Sequence, residues 1–469
     1  MNFQSTLILI GISALAGRII WQRWRVLTLL GISALAIFAF QPALPVRGLD
    51  FWLPILTLGL TVLAWVLTTP APQRQWREQI PAILTLIGIV LFLGLTRYLD
   101  LSLPLTASPP PQTWQIALLL MLLALTAALL ARIRIPLTLP FVFIILLFVL
   151  LKTPAFATQL GIFLRQLNQQ DAALASPLDV RWLGFSYIAF RILHTIRDRQ
   201  SGRLPDVSLA EYVVYVIFFP TLAAGPIDRI ERFLMDLRRP PALTGAEWGA
   251  AGQRLLLGLF KKFVLADGLA LMALNDVNAL QVRSAGWAWV LLYAYTFQIY
   301  FDFSGYTDIA IGMGRLMGFH LPENFAAPYL KPTLTQFWNS WHITLTQWFR
   351  SYFFNPLTRA LRSSRWKWPP TLLIFVTQLA TMLLIGLWHG VTLPFVLWGL
   401  WHGLGLFVDN RWSALTRARV AAMTPRAQTI FNACGVLVTF HFVALGWVFF
   451  ALPSLETCVR FFRVLFSLA

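Results

Sequence analysis

Long apolar runs separated by short polar gaps dominate the chain. A bilayer span needs about 20 mostly apolar residues, and such runs lie at 4–20, 26–42, 51–69, 80–97, 114–131 and 136–152. Further apolar segments lie near 180–195, 208–224, 252–275, 285–301, 303–319, 371–388, 391–409 and 428–450. Some of the later runs are candidates for re-entrant segments. The pattern predicts an all-α, polytopic transmembrane helical bundle of about 11–13 spans. GISALA at 11–16 returns at 31–36, a recurrence that small apolar residues produce readily and that carries no functional weight.

The gaps give an orientation. One holds Arg18, Arg23 and Arg25, the next but one Arg74 and Arg77, and the next but one again Arg132 and Arg134. The alternate gaps, around 43–50 and 98–113, carry one Arg each, Arg47 and, at the edge, Arg97, and the second is rich in proline. Basic gaps mark the cytoplasmic face. This predicts a multi-pass protein of the cell membrane with an external N-terminus, an external stretch at 153–178 and a cytoplasmic one at 197–207. The N-terminal run lacks a basic leading region and a clear cleavage site, and so reads as a first span.

Composition agrees. Charged residues make up 12% and hydrophobic ones 58%, against about 25% charged in a soluble domain. The formal charge of +18 comes from 37 Lys+Arg against 19 Asp+Glu. Its placement in short gaps points to membrane topology and away from nucleic acid. The two cysteines, Cys434 and Cys458, form no CxxC and no metal spacing.

The character of the apolar runs changes along the chain. The first 150 residues are Leu, Ala and Ile with hardly a polar residue inside a run. From about 180, Trp, His, Asn, Asp and Gly enter them. This sets an N-terminal transmembrane helical section, 1–155, before a core, 156–469.

An ionisable residue in hydrocarbon costs about 2.5–3.5 kcal/mol on insertion scales and so calls for a reason. Four core segments contain polar residues in apolar surroundings. In GPIDRIERF, 225–233, Gly225, Pro226 and Asp228 break a helix, either as a covered break in the membrane or as a turn with an Asp–Arg pair. In FQIYFDFSGYTDIAIGMG, 297–314, Asp302 and Asp308 lie among aromatics and glycines, serving a site or pairing structurally. In FWNSWHITLTQWFRSYFF, 337–354, an unbroken helix would put Asn339, His342 and Thr346 on one face. Trp338, Trp341 and Trp348 would seat that helix at the membrane interface.

The fourth segment, GLWHGVTLPFVLWGLWHG at 386–403, holds His389 and His402, each between Trp and Gly. On one continuous helix they would face different ways, so they share a site only if Pro394 redirects the chain. A histidine in an apolar span is costly when charged, and a neutral imidazole is a competent base for a hydroxyl. The six histidines, at 194, 320, 342, 389, 402 and 441, include no HExxH pair. No G-x-S-x-G and no D-x-D occur. Direct acyl transfer to a hydroxyl, with histidine as base and no covalent enzyme intermediate, needs none of these motifs.

Taken in order, FFPTLAAGPIDRIERF, FQIYFDFSGYTDIAIGMGRLMGF, LPENFAAPYL, FWNSWHITLTQWFR, GLWHG, WGLWHG and LGWVFF resemble the membrane-bound O-acyltransferase family over roughly 180–450. GPIDR resembles its teichoic acid D-alanylation branch; LPENF and LGWVFF resemble its alginate O-acetylation branch.

The resemblance implies a helical fold with a funnel to a mid-membrane site. It implies His389 as base, with His342 orienting donor or acceptor. It also implies substrate contacts from Asn339, Trp338, Trp388 and Asp302, with His402 a structural residue and the fallback. The donor would be a thioester from the cytoplasmic side, on coenzyme A or an acyl carrier protein, with no tightly bound cofactor and no metal. The acceptor would be a hydroxyl of an extracellular or cell-wall glycan.

The basic run Arg359, Arg362, Arg365 and Lys367 would meet donor phosphates or an acidic carrier protein, or else simply anchor the chain at the membrane. Membrane lipids and an extracytoplasmic acyltransferase are the further expected partners. The 150-residue N-terminal section departs from typical members. The competing reading is a transporter or flippase of a polysaccharide precursor. It expects two matched halves with broken helices, whereas here a bland section precedes a dense one.

Overall fold

The computed structural model describes residues 3–19, 24–99, 105–241 and 243–468. Among them the regular structure is helical, apart from one isolated antiparallel bridge between Phe325 and Trp341. The six N-terminal apolar runs form Phe3–Ile19, Arg25–Phe40, Leu49–Thr68, Trp76–Leu95, Thr113–Arg132 and Thr138–Lys152.

Each later run also contains helix, yet among the described residues only five helices have the length and apolarity of a span. They are Leu49–Thr68, Trp76–Tyr98, Thr113–Arg132, Pro370–His389 and Pro425–Ala451. A sixth arises if Thr138–Lys152 and Pro154–Leu167, bent by 88°, count as one span. The expected count of about 11–13 spans exceeds this for physical reasons. Phe3–Ile19 and Arg25–Phe40 are 17 and 16 residues long. The run at 208–224 stops as helix at Ile217 and turns through Phe219–Thr221 at Pro220. The runs at 285–301 and 303–319 fuse into one 32-residue helix, Ala285–Leu316, whose hydropathy dips at Asp302 while its backbone continues. The stretch at 153–178, which lay outside the expected runs, holds Pro154–Leu167, because Pro154 cannot extend the preceding helix but suits a first helical position.

The chain divides into two compact units. The first comprises residues 1–253 with 310–321. Its core stacks Phe218, Phe233 and Phe319, with Phe233 and Phe319 rings 4.9 Å apart. The break after Ile217 frees backbone carbonyls inside this core, where an unmet acceptor costs about 1–3 kcal/mol. Buried Arg191 meets them, donating to the carbonyls of Val216 (2.7 Å) and Thr221 (2.9 Å). Buried Arg25 likewise donates to the carbonyls of Leu237 (3.3 Å) and Met317 (2.7 Å). The GPIDR segment carries the Asp–Arg pair: Asp228 binds Arg232 one turn into helix Ile230–Arg238, and Tyr215 donates to the Asp228 carbonyl at 2.9 Å.

The second unit comprises 254–309 and 322–469. Pro370–His389 and Leu393–Ala421 form an antiparallel hairpin. Gly386 packs on Phe395, Gly399 on Met382 and Leu383, and Gly403 on Leu379. These glycines let the two backbones touch, as small residues do at membrane helix interfaces. Helix Leu455–Leu465 closes a cluster with Leu274, Leu292, Ala444 and Val448.

Candidate functional site

The polar and aromatic side chains of the second unit's histidine-bearing segments gather around two indoles. Helix Pro370–His389 ends at His389, and three residues later Leu393–Ala421 begins with Pro394 in its first turn. The chain turns at Gly390–Thr392, just ahead of Pro394, so His389 and His402 sit on facing arms of a hairpin. Both pack on Trp398, with ring centroids at 5.4 Å and 4.9 Å. His389 also packs on Trp388 (4.4 Å) and Phe450 (4.6 Å), and it is partly exposed. Trp388 in turn packs on His342 (6.2 Å). The structure therefore brings His342, His389 and Trp388 together.

The Trp-rich segment is not one helix. Leu334–Trp338 stops, and Ile343–Phe349 starts after His342, whose φ is +44°. A left-handed non-glycine residue is uncommon. Here the LPENF segment holds it: Ile343 N–H donates to the Asn324 carbonyl (3.0 Å) and Ala326 N–H to the Ser340 carbonyl (3.0 Å). The turn at His342 overturns the shared face expected for Asn339, His342 and Thr346. Asn339 and Thr346 line a cavity of about 180 Å³ with Arg350, Gln378 and Thr381, and Asn339 Oδ1 accepts from Arg350 (2.6 Å). His342 faces Trp388 and lies edge-on to Phe303 at 4.6 Å.

Hydrogen bonding fixes two tautomers. Asn324 Oδ1 accepts from the Thr344 backbone N–H (3.2 Å) and hydroxyl (2.9 Å), which sets its amide orientation. His342 Nδ1, 3.0 Å from the same oxygen, must then be the donor. In the neutral ring Nε2 keeps a lone pair, and it is buried without a hydrogen-bond partner among the described residues. Buried polar atoms are nearly always bonded, so this acceptor points to an incoming donor. His402 is the reverse: Trp338 Nε1–H donates to its Nδ1 (3.4 Å), so the proton sits on Nε2. Its basic nitrogen is engaged in packing the helix.

Trp338 is thus committed to His402, and its ring packs edge-on to Trp398 at 5.7 Å. Asp302 forms an ion pair with Lys262 (2.5 Å), and Asp308 binds Arg254 and Lys261 (both 2.7 Å). Both lysines lie in the π-helical stretch Phe260–Ala266, a form of helix frequent near functional sites. Among the described residues no cluster of three His, Cys, Asp or Glu could hold a metal.

Asn324 is the residue that sequence reasoning passed over. LPENF stood out as a motif, but nothing in its spacing tied Asn324 to a histidine 18 positions on. Trp398 and Phe450, from WGLWHG and LGWVFF, likewise acquire a purpose only in three dimensions, as walls around His389.

The profile of the membrane-bound O-acyltransferase family (MBOAT) matches residues 122–451. A probable alginate O-acetylase of Pseudomonas aeruginosa is 36% identical over 286 residues, 61% of this chain and 51% of its own length. A teichoic acid D-alanyltransferase of Streptococcus thermophilus is 31% identical over 287 residues, 58% of this chain and 68% of its own length. A peptidoglycan O-acetyltransferase of Helicobacter pylori is 34% identical over 252 residues, 53% of this chain and 45% of its own length. The chain spans about half the length of the first of these relatives.

Proposed function

Because this chain belongs to the membrane-bound O-acyltransferase family, we propose that it moves an acyl group from a cytoplasmic thioester to a hydroxyl of an extracellular or cell-wall glycan. The observation that carries this reading is the placement of His389 and His342 on either side of Trp388. The relatives' names, O-acetylase, D-alanyltransferase and O-acetyltransferase, agree in reaction type.

His389 is the base. It is the more exposed of the two rings and ends a helix, where the macrodipole favours a developing positive charge. Its imidazole takes the hydroxyl proton as the oxygen attacks the thioester carbonyl. The tetrahedral intermediate collapses with loss of the thiolate, which recovers the proton from the imidazolium. The products are an ester and a free thiol. His342, held with Nδ1–H on Asn324, offers Nε2 as an acceptor that orients the attacking group. Trp388 separates and positions the two rings. Asn339 contacts substrate from the cavity it shares with Arg350, and Trp338 and Asp302 support the site through His402 and Lys262.

The reading is tested by acyl transfer from a radiolabelled thioester to cell-envelope glycan in membranes holding this protein. Transfer above that of membranes lacking it is expected, and equal transfer would sink the proposal. Within that assay, Asn324→Leu should lower the rate about 10–100-fold, the range for partners that orient a functional histidine. Asn324→Asp, which still accepts from Nδ1–H, should recover most of it. Equal rates in the two variants would remove the orienting role.

The donor side of the proposal rests on charge. Arg359, Arg362, Arg365 and Lys367 are all exposed, and among the described residues none forms an ion pair. We expect Arg362→Glu/Arg365→Glu/Lys367→Glu to raise KM for a thioester on an acidic carrier about tenfold while leaving kcat intact. An unchanged KM would assign the run to membrane anchoring alone.

A further inference from the structure

In the first unit, three N-terminal helices, Leu49–Thr68, Trp76–Leu95 and Thr113–Arg132, enclose a cavity of about 520 Å³. That volume falls among ligand sites, which span about 300–1,000 Å³. Its walls are apolar throughout, with Gly59, Val90, Leu120, Ala124 and Ala128 among them, and its polar groups lie at one end, where Arg74 and Arg132 line it. The lining runs along the third helix from Arg132 back to Leu120, about 18 Å at ~1.5 Å per residue. One leaflet of hydrocarbon is of similar depth, about 15 Å.

The two arginines have the disposition of an anion seat. Arg74 donates from Nε to the Thr69 carbonyl (3.0 Å) and from Nη1 to the Ala131 carbonyl (2.7 Å), which ties the guanidinium across the ends of two helices. Its Nη2 and the whole exposed Arg132 guanidinium have no partner among the described residues. Trp76, which packs edge-on to Trp65 at 5.7 Å, marks the same end as an interfacial belt position. Guanidinium groups bind phosphate through paired N–H donors.

We propose that this cavity seats an anionic phospholipid, one acyl chain between the three helices and the phosphate on Arg74 and Arg132. Charge at one end and hydrocarbon along the rest match that single class of molecule. An uncharged tail would leave the guanidinium groups unanswered, and a free phosphate would leave the apolar length unfilled. The site lies in the section that the sequence left without a role, and its occupation does not depend on acyl transfer.

The test uses the purified full chain in detergent, delipidated, with melting temperature as the readout. Dioleoyl phosphatidylglycerol should raise it by about 3 °C, whereas dioleoyl phosphatidylcholine and glycerol 3-phosphate should not. Arg132→Ala should weaken the response, and Ala128→Trp, which fills the groove from an exposed position, should abolish it. An equal response to phosphatidylcholine would mean bulk solvation and overturn the proposal. So would a response to glycerol 3-phosphate alone, or a full phosphatidylglycerol response in Ala128→Trp.

Discussion

His389→Ala should cut acyl transfer about 10²–10⁴-fold, the usual contribution of a positioned general base, with the protein present in the membrane at wild-type level. The reason to expect a chemical loss is the site's construction. His389 packs on Trp388, Phe395, Trp398 and Phe450, so alanine gives up aromatic packing at the end of a helix. Labelled-thioester transfer at matched protein levels checks it. His402→Ala is the control: its engaged Nδ1 and full burial predict a loss of folded protein with specific activity kept. Full transfer in His389→Ala would move the base to His342, whose Nε2 has no hydrogen-bond partner among the described residues.

Gly399→Leu should strongly destabilise the hairpin. A Cβ there would lie 2.8 Å from the Met382 carbonyl oxygen and 2.9 Å from Leu383 Cα, so backbone rather than a flexible side chain must give way. Overpacking usually costs about 1–3 kcal/mol, and here the hairpin arms that carry His389 and His402 would have to part. The melting temperature in detergent should fall well below wild type. Gly268→Leu, at a helical position with open space around its Cα, should leave it nearly unchanged. Similar melting of both variants would remove the close-packing argument.

Much of the helical scaffold was legible because hydropathy alone specifies it. The six N-terminal runs became helices within a few residues of their expected ends. The site was legible in its residue types but not in its geometry. Helical periodicity joined Asn339, His342 and Thr346, while the turn that separates them depends on Asn324, distant in sequence. Asp302 is expensive in apolar surroundings, a sound reason to single it out, yet its partner Lys262 lies 40 residues away in a stretch that periodicity reads as ordinary helix. The hairpin had two sequence marks, Pro394 and the small-xxx-small spacing of Gly399 and Gly403.

The first unit has a consequence for synthesis. Its 253 N-terminal residues are completed by 310–321, and Arg25 waits for the Met317 carbonyl, 292 positions downstream. At about 5–20 residues per second, the ribosome adds that partner roughly 15–60 s after Arg25. Throughout that interval a guanidinium destined for burial lacks one of its two acceptors.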